Sequence, residues 1–304
     1  MRISTNTIFQ NGLNKISQLQ VEQDRLMQQI ASKKRILTPA DDPIGAARAL
    51  ELQNAQRINT QFERNRMFAE NSMNAVEGNL QSVTDLLIAA KSRLVEAGNA
   101  SYDDVQRSYL AVDLRNDLEA LTALANATDG SGNYLYGGYR TDAAPYTASS
   151  TGATYNGDQQ TRQLQVASSR QLAITDTGPN VFQANGHDAF AALAQIASLL
   201  ETPVTDAASA QALQDGLNAA STSLQSTLDN VLTVRARNGS GLKELEALNT
   251  DGSNRDLQYA QSLSDLQDLD YAKALSDLAK EQTVLEAAQK AFVATTGLSL
   301  FNLL

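Results

Sequence analysis

Both ends of the chain carry apolar residues at the alternating three- and four-residue spacing of a coiled-coil helix. Near the start, this series is Ile16, Leu19, Leu26 and Ile30, with the polar Gln23 between them. Near the end, it is Tyr271, Leu275, Leu278, Leu285 and Phe292, with Gln282 and Gln289 at positions of the same series. A helix with so narrow an apolar stripe needs a partner helix to cover it. We therefore predict that both ends form helices that pack against another helix.

The two ends also differ in charge. Residues 1–37 contain six basic and two acidic side chains, a net charge of +4, and residues 264–304 contain three basic and six acidic ones, a net charge of −3. Opposite charge favours contact between the ends, although an exposed ion pair adds little stability on its own. We therefore expect the N- and C-terminal segments to pair with each other. A chain closed in this way is more typical of a building unit than of an enzyme.

Composition excludes several classes of protein. A net charge of −10 argues against a protein that neutralises a nucleic-acid backbone. The chain contains no cysteine, so neither disulfides nor thiolate metal sites are available. The most apolar run, residues 189–200, is too short to span a bilayer. The start lacks the apolar stretch of a secretory signal peptide, so we expect any export to follow a route that does not use one.

The first half of the chain predicts three helices separated by turns. The first helix should run over residues 7–36 and stop at residues 37–43, because Pro39 and Pro43 both disfavour helix before them. Asp42 is a good N-cap and Pro43 fits the first helical position, so a second helix should begin there and continue to about Ala97. A third, shorter helix is expected over residues 102–127.

Residues 129–187 differ from the rest and predict a small β-rich insertion. Leu164 and Val166, and then Leu172 and Ile174, alternate with polar residues as half-buried strands do. Helix should return at residues 188–200 and again over residues 206–304, with interruptions at the glycine-containing segments 238–241 and 251–253. The expected fold is mainly α, a long helical bundle or coiled coil formed by paired N- and C-terminal segments, with a small β-rich insertion domain. The expected domains are a terminal coiled coil (1–40 and 265–304), a helical middle domain (41–128 and 188–264) and the β-rich domain (129–187).

Four groups of residues could carry chemistry, and each has a simpler explanation. Asp41-Asp42 could be a catalytic pair, but a helix cap accounts for it. His187 is the only histidine, and without a second ligand nearby it does not predict a metal site. The segment starting at Asp129 opens like a calcium loop, but Arg140 occupies its twelfth position where a glutamate is needed. The tyrosines of the insertion could stack on sugars or bases, but they suit a small core better. We therefore expect no catalytic residue, no metal and no cofactor.

Two terminal tracts resemble the flagellin superfamily. One is Leu26–Pro43, which reads LMQQIASKKRILTPADDP. The other consists of Asp268–Ala272 (DLDYA) and the final segment Ser299–Leu304 (SLFNLL). Within the superfamily, the start MRIST, the form TPADDP, the stretch GNYLYGG at residues 132–138 and the ending are most similar to the hook–filament junction branch. Lys33 stands where the superfamily usually has glycine, so we expect the first helix to run further before it bends.

The resemblance implies a structural protein of the bacterial flagellum. The paired termini would line an inner tube, the long helices would form a middle layer and the β insertion the outer surface. The implied partners are further copies of the chain, hook-associated protein 1 (FlgK) on the hook side, flagellin on the filament side, and an export chaperone before secretion through the flagellar type III channel. No nucleic acid, membrane or cofactor is implied.

We expect residues 38–43 to act as a hinge between the inner and middle layers, with Arg35 and Arg48 close enough in sequence to contact Asp41 or an adjacent subunit. The residues expected to carry assembly belong to the two terminal seams, the hinge and the C-terminal end: Ile16, Leu19, Gln23, Leu26, Ile30, Arg35, Asp41, Asp42, Pro43, Arg48, Leu275, Leu278, Gln282, Leu285, Phe292, Leu300, Phe301 and Leu304.

Three other functions remain open at this point. The chain could be a short filament flagellin. The coiled-coil ends alone would also suit another type III export substrate, such as a translocator or needle-tip protein. An enzyme carried in the β insertion is disfavoured, because that segment has no cysteine and no convincing acid–base pair.

Overall fold

The computed structural model describes residues 5–297, which are mainly helical. The α-helices are α1 (Thr5–Ser32), α2 (Pro43–Ala97), α3 (Asp104–Ala125), α4 (Gly178–Phe182), α5 (Ala189–Leu200), α6 (Ala207–Gln267) and α7 (Tyr271–Gly297). The strands are β1 (Tyr146–Ser149), β2 (Gly152–Tyr155), β3 (Gln163–Ala167) and β4 (Arg170–Ala173), and a 3₁₀ turn covers Ala184–Gly186. The predicted fold class, long helices with a small β region, is confirmed. None of the described helices is both long and apolar enough to cross a membrane.

The chain forms two compact units. Unit 1 consists of Met1–Asn59 and Ser253–Leu304, and unit 2 consists of Thr60–Gly252. Each unit contains part of α2 and part of α6, so the division falls inside these two helices. The finer division into three domains stays a prediction.

Helix starts follow the local sequence signals closely. At the start of α2, the carboxylate of Asp42 accepts a hydrogen bond of 2.8 Å from the amide of Gly45, and Pro43 is the first helical residue. At α5, the Asp188 side chain accepts from the amides of Phe190 and Ala191. These caps satisfy amide groups that a helix start otherwise leaves without a partner. The predicted starts at both positions are therefore confirmed.

Helix α6 continues through both glycine-containing segments, so the predicted interruptions are wrong. The side chain of Asn238 is buried and donates a hydrogen bond of 2.9 Å to the carbonyl oxygen of Met73 in α2. A Cβ atom on Gly241 would lie only 2.5 Å from the terminal methyl of Met73. The absence of a side chain at Gly241 allows this close packing of α6 on Met73, and that packing offsets the helix cost of about 1 kcal/mol for a glycine.

The β insertion consists of two antiparallel hairpins, β1–β2 and β3–β4. Tyr146 pairs with Tyr155 in the first, and Leu164 pairs with Leu172 in the second. The predicted strands around Leu164 and Leu172 are confirmed. Their apolar side chains do not form a core of their own. Instead, Val166 and Leu172 pack in one cluster with Met73 of α2 and Leu245 of α6.

The larger core of unit 2 joins the insertion to the helices through aromatic residues. Tyr136 and Phe182 lie edge to face with ring centroids 5.2 Å apart, and the ring of Tyr146 lies tilted against Phe190 of α5 with centroids 4.8 Å apart. The Tyr136 hydroxyl donates a hydrogen bond of 2.6 Å to Oδ1 of Asn79 in α2. Burial raises the pKa of both Tyr136 and Tyr146 well above the ordinary value of tyrosine. The expectation that tyrosines fill the core holds for these two residues.

Candidate functional site

The two terminal helices α1 and α7 pack against each other in unit 1. The rings of Phe9 and Phe292 are 5.1 Å apart, and at the other end of the pair the Tyr271 hydroxyl donates a hydrogen bond of 3.2 Å to the carbonyl of Ile30. The start of α1 therefore meets the end of α7, and the helices are antiparallel. The predicted pairing of the chain ends is confirmed.

The predicted seam of α1 lies on the covered side of the helix. Leu26 is buried, with 8% of its surface exposed. The other seam residues are half-buried: Ile16, Leu19, Gln23 and Ile30. Gly12 lies close to the partner helix, because a Cβ at this position would be 2.6 Å from the ring of Phe292. Here the heptad spacing of the sequence identifies the contact side of the helix correctly.

The predicted seam of α7 is only partly correct. Leu278, Leu285 and Phe292 are half-buried as expected, but Leu275 is 54% exposed, and Gln282 and Gln289 are exposed as well. The covered side instead adds small or polar residues, namely the buried Ala274 and the half-buried Glu281 and Ala288. Two heptad series run along α7: the predicted one (271, 275, 278, 282, 285, 289 and 292) and a second one (274, 278, 281, 285, 288 and 292). Positions 278, 285 and 292 belong to both series. The alanines allow close approach of the helices, and the glutamines stay solvated on the open side.

Opposite charge contributes to the pairing less than the composition indicates. Among residues 5–297, no ion pair joins α1 to α7. Within α1, the guanidinium of Arg25 pairs at 2.5 Å with the carboxylate of Glu22, which lies one turn earlier in the same helix. The apolar seam and the hydrogen bond of Tyr271 to Ile30 therefore account for the observed contact between the two helices.

Helix α1 ends earlier than predicted, at Ser32 instead of residue 36. Lys33 has a φ angle of +63°, in the left-handed region that favours glycine. The expectation that lysine at this position prolongs the helix is therefore wrong. The chain bends here and hydrogen-bonds to the linker between α6 and α7.

The linker after α1 and the linker before α7 are held together by backbone hydrogen bonds. The amide of Arg35 donates to the carbonyl of Gln267 at 2.7 Å, and the amide of Leu269 donates to the carbonyl of Lys33 at 3.2 Å. The side chain of Gln29 donates a hydrogen bond of 2.6 Å to the carbonyl of Arg35. We call this bridged pair of segments, residues 33–42 and 266–270, the linker clamp.

Asp41 organises the loop inside the linker clamp. Its carboxylate accepts hydrogen bonds from the amide of Thr38 at 2.8 Å and from the amide of Leu37 at 3.1 Å. The Thr38 amide is the main cause that holds the pKa of Asp41 below its usual value. Arg25 of α1 approaches the same carboxylate at 3.8 Å.

Asp42 has two partners, the amide of Gly45 at the start of α2 and the guanidinium of Arg35 at 3.2 Å. The Gly45 amide lowers the pKa of Asp42 most, followed by Arg35. Arg35 also donates a hydrogen bond of 2.9 Å to the carbonyl of Leu266. Arg35 thus bridges the α2 cap and the opposite linker. The predicted contact of Arg35 with Asp41 is wrong, because its guanidinium pairs with Asp42 instead.

Arg48 is exposed on α2 and forms no ion pair with any residue that the structure describes. The predicted contact of Arg48 with Asp41 is wrong, and the cation that approaches the Asp41 carboxylate is Arg25, at 3.8 Å. A contact with an adjacent subunit stays a prediction. Leu300, Phe301 and Leu304 lie outside the described residues.

Apolar side chains remain uncovered on both terminal helices. On α1, Leu13 and Met27 are 45% and 42% exposed and lie about four helical turns apart, on one side. On α7, Leu275 is 54% exposed. The α1–α7 pair therefore leaves apolar side chains of both helices exposed beside its own seam.

Sequence reasoning missed three residues of this region. The predicted heptad spacing and the hinge motif indicate no role for Arg25, Gln29 or Ala274. A signal for Ala274 exists, because residues 274, 278, 281, 285, 288 and 292 repeat at alternating steps of four and three. Nothing in the local sequence indicates the hydrogen bond of Gln29, since it depends on the bend at Lys33.

The other candidate groups have structural partners. Nδ1 of His187 lies 3.3 Å from the hydroxyl of Ser223, but the neighbouring Asp188 is occupied as a helix cap. Oδ1 of Asp129 accepts from the amides of Ser131 and Asn133. In the part of the chain that the structure describes, no group of three or more histidine or carboxylate side chains is placed to hold a metal ion.

Comparison with known proteins places these features in a family. Residues 3–141 match the model of the bacterial flagellin N-terminal helical region. The whole chain is 36% identical to flagellar hook-associated protein 3 of Escherichia coli strain K12, and 34% identical to that of Salmonella typhimurium strain LT2, with 99% of each relative covered. The crystal structure of flagellar hook-associated protein 3 from Legionella pneumophila has a TM-score of 0.66 and 18% identity, and the match covers 73% of this chain and 98% of that one, which supports the fold.

The full-length identity to two curated relatives agrees with the paired terminal helices and with the motifs at both ends. The chain therefore belongs to the family of flagellar hook-associated protein 3 (FlgL), a structural family of the bacterial flagellum within the flagellin superfamily.

Proposed function

We propose that the chain forms the layer of the hook–filament junction that joins hook-associated protein 1 (FlgK) to the flagellin filament. Family membership supports a junction role. The observation that carries the assembly mechanism is the set of exposed apolar side chains beside the seam of α1 and α7, which contains Leu13, Met27 and Leu275. Apolar side chains repeated along one side of a helix favour contact with another helix. Neighbouring subunits and the two junction partners supply such helices.

In this proposal the terminal pair lines an inner tube, the longer helices form a middle layer, and the β insertion lies outside. The linker clamp then connects the inner and middle layers. The hydrogen bonds of Arg35 to Leu266 and of Asp42 to Gly45 fix the direction in which α2 leaves the clamp. The predicted hinge at residues 38–43 would therefore act as a braced corner whose hydrogen bonds must change if the layers move.

We further propose that the terminal pair becomes stable only on assembly. The pair buries one narrow seam, while ordering each residue of backbone costs about 1–2 kcal/mol. A chain with unfolded ends suits export through the narrow flagellar type III channel, with a chaperone covering the ends before export. Hydrogen exchange of the purified monomer tests this step: fast exchange across residues 5–32 and 271–297 is expected, and strong protection there would refute it.

Deletion of the gene tests the junction role against the alternative that the chain is a short filament flagellin. Without a junction protein, cells should carry hooks without filaments and release flagellin into the medium. Complementation with the intact gene should restore the filaments. Loss of a flagellin would instead remove the filament subunit itself, so cells that export no flagellin would contradict the junction role.

Another type III export substrate, such as a translocator, is the second alternative. Binding of the purified chain to lipid vesicles would favour it. An enzyme in the β insertion has no supporting observation, since the one histidine near it pairs with a serine without a free carboxylate.

A further inference from the structure

A polar groove lies on the surface of unit 2. Its volume is about 660 Å³, and it is open to solvent. The groove is lined by Tyr139, Gln159, Gln160, Thr161, Gln163 and Asn180. Apart from the tyrosine, none of these six side chains can ionise.

Two glycines hold the groove together. Gly138 has a φ angle of +68°, and a Cβ there would lie 2.6 Å from the carbonyl oxygen of Asp158 and 2.9 Å from that of Gln160. The carbonyl of Gly137 accepts a hydrogen bond of 3.0 Å from the amide of Asp158. The segment before β3 therefore packs directly on the backbone beside Tyr139, and only glycine permits this approach.

The side chains of the groove are available for a ligand. Tyr139 is 59% exposed, in contrast to the buried Tyr136 and Tyr146. Within residues 5–297, the side-chain amides of Gln159, Gln160 and Gln163 form no hydrogen bond with the protein. Each primary amide can donate and accept at the same time, and the tyrosine adds an apolar ring face with a polar tip.

One end of the groove is fixed by further hydrogen bonds. Asn180 donates to the Asp176 carboxylate at 2.9 Å, and its carbonyl accepts from Asn230 at 2.6 Å. Thr161 and Asn180 also line an adjoining cavity of about 390 Å³, where Asp176 pairs with Arg237 at 3.1 Å. The two cations that line the adjoining cavity, Arg237 and Arg170, are paired with Asp176 and Glu244. Neither cavity therefore offers a phosphate an unpaired cation among its lining residues.

We propose that this groove binds a neutral oligosaccharide, with one sugar ring on the face of Tyr139 and its hydroxyl groups on the glutamine amides. Vicinal hydroxyls donate and accept in the same pattern as primary amides, so the two sets match. An anionic ligand would need an unpaired cation, and a peptide would need apolar pockets for alternate side chains. The proposal is independent of the junction role, because it uses only residues of unit 2.

Saturation-transfer NMR on the full chain tests this proposal with four neutral disaccharides: cellobiose, maltose, lactose and N,N′-diacetylchitobiose. At least one of them should bind saturably at millimolar concentration. Tyr139→Ala should weaken that binding about tenfold or more, because the ring contact is lost. Gln163→Ala should also weaken it, and Tyr139→Phe should retain most of it.

Tyr109→Ala is the matched control, because Tyr109 is 67% exposed on α3 and lies outside the groove. Binding by this variant should equal that of the wild type. The proposal is overturned if none of the four sugars binds, or if Tyr109→Ala and Tyr139→Ala weaken binding equally. It is also overturned if a panel of tripeptides, but no sugar, binds in a manner that depends on Tyr139.

Discussion

Replacement of Tyr136 by phenylalanine removes one hydroxyl group from the centre of unit 2. The side chain is fully buried, and its Oη donates a hydrogen bond of 2.6 Å to Oδ1 of Asn79. Asn79 cannot easily turn to another donor, because its Nδ2 is bonded to the carbonyl of Leu124 at 3.2 Å. Tyr136→Phe therefore keeps the ring contact with Phe182 but leaves a buried acceptor without a donor.

The expected cost follows from that unpaired acceptor. Removing one partner of a buried hydrogen bond lowers the free energy of unfolding by about 1–3 kcal/mol. For a unit of this size, each kcal/mol lowers the melting temperature by about 2–4 °C. Calorimetry at pH 8 should show this decrease. The control Tyr139→Phe removes an exposed hydroxyl and should change the free energy of unfolding by less than about 0.5 kcal/mol.

The difference between wild type and Tyr136→Phe should shrink at alkaline pH. Burial raises the pKa of Tyr136 in the folded state above its value of about 10 in the unfolded chain. A group whose folded pKa is raised stabilises the fold fully below the unfolded pKa and loses that contribution as pH rises above it. Wild type should therefore lose more stability than the variant between pH 8 and pH 11. Equal melting temperatures at pH 8, or a gap that stays constant up to pH 11, would refute this reasoning.

Three further predictions concern the helices and the linker clamp. Gly78→Ala should raise the free energy of unfolding by about 1 kcal/mol in calorimetry, because a Cβ there meets nothing within 4 Å. Gly241→Ala should raise the free energy of unfolding by less than Gly78→Ala, because its Cβ would meet Met73. An equal rise in the two variants would contradict the close packing of α6 on Met73. Lys33→Gly should relieve the left-handed strain of about 1–2 kcal/mol and retain filaments under shear at least as well as wild type, and Lys33→Val should retain fewer. Asp41→Ala should leave the melting of unit 2 unchanged while filaments detach at lower shear, and normal retention would restrict Asp41 to a local role in the loop.

Helix boundaries set by local chemistry could be predicted from the sequence. The starts of α2 and α5 were predicted correctly from Asp42-Pro43 and from Asp188. A proline and a capping carboxylate act only on residues next to them in the chain, so their effect can be seen in the local sequence. The seam of α1 was also predicted correctly, since Ile16, Leu19, Gln23, Leu26 and Ile30 all lie on its covered side.

Features that depend on distant residues could not be predicted. The α7 seam has two registers with three shared positions, and only the fit against α1 selects the one that contains Ala274. Lys33 bends the chain because the clamp hydrogen bond between Arg35 and Gln267 requires it, although lysine favours a longer helix. Likewise, the groove beside Tyr139 depends on the packing of residues 158–160 on Gly137 and Gly138, which the local sequence does not indicate.

The most direct test of the junction role is the position of the protein in the assembled flagellum. An epitope inserted at Ser150–Thr151, in the turn between β1 and β2, should leave the hairpins intact because both residues are exposed. Immunogold electron microscopy of intact hook–filament complexes should then place the label in a narrow band where the hook meets the filament. Label distributed along the filament would contradict the account and would identify the chain as a filament subunit.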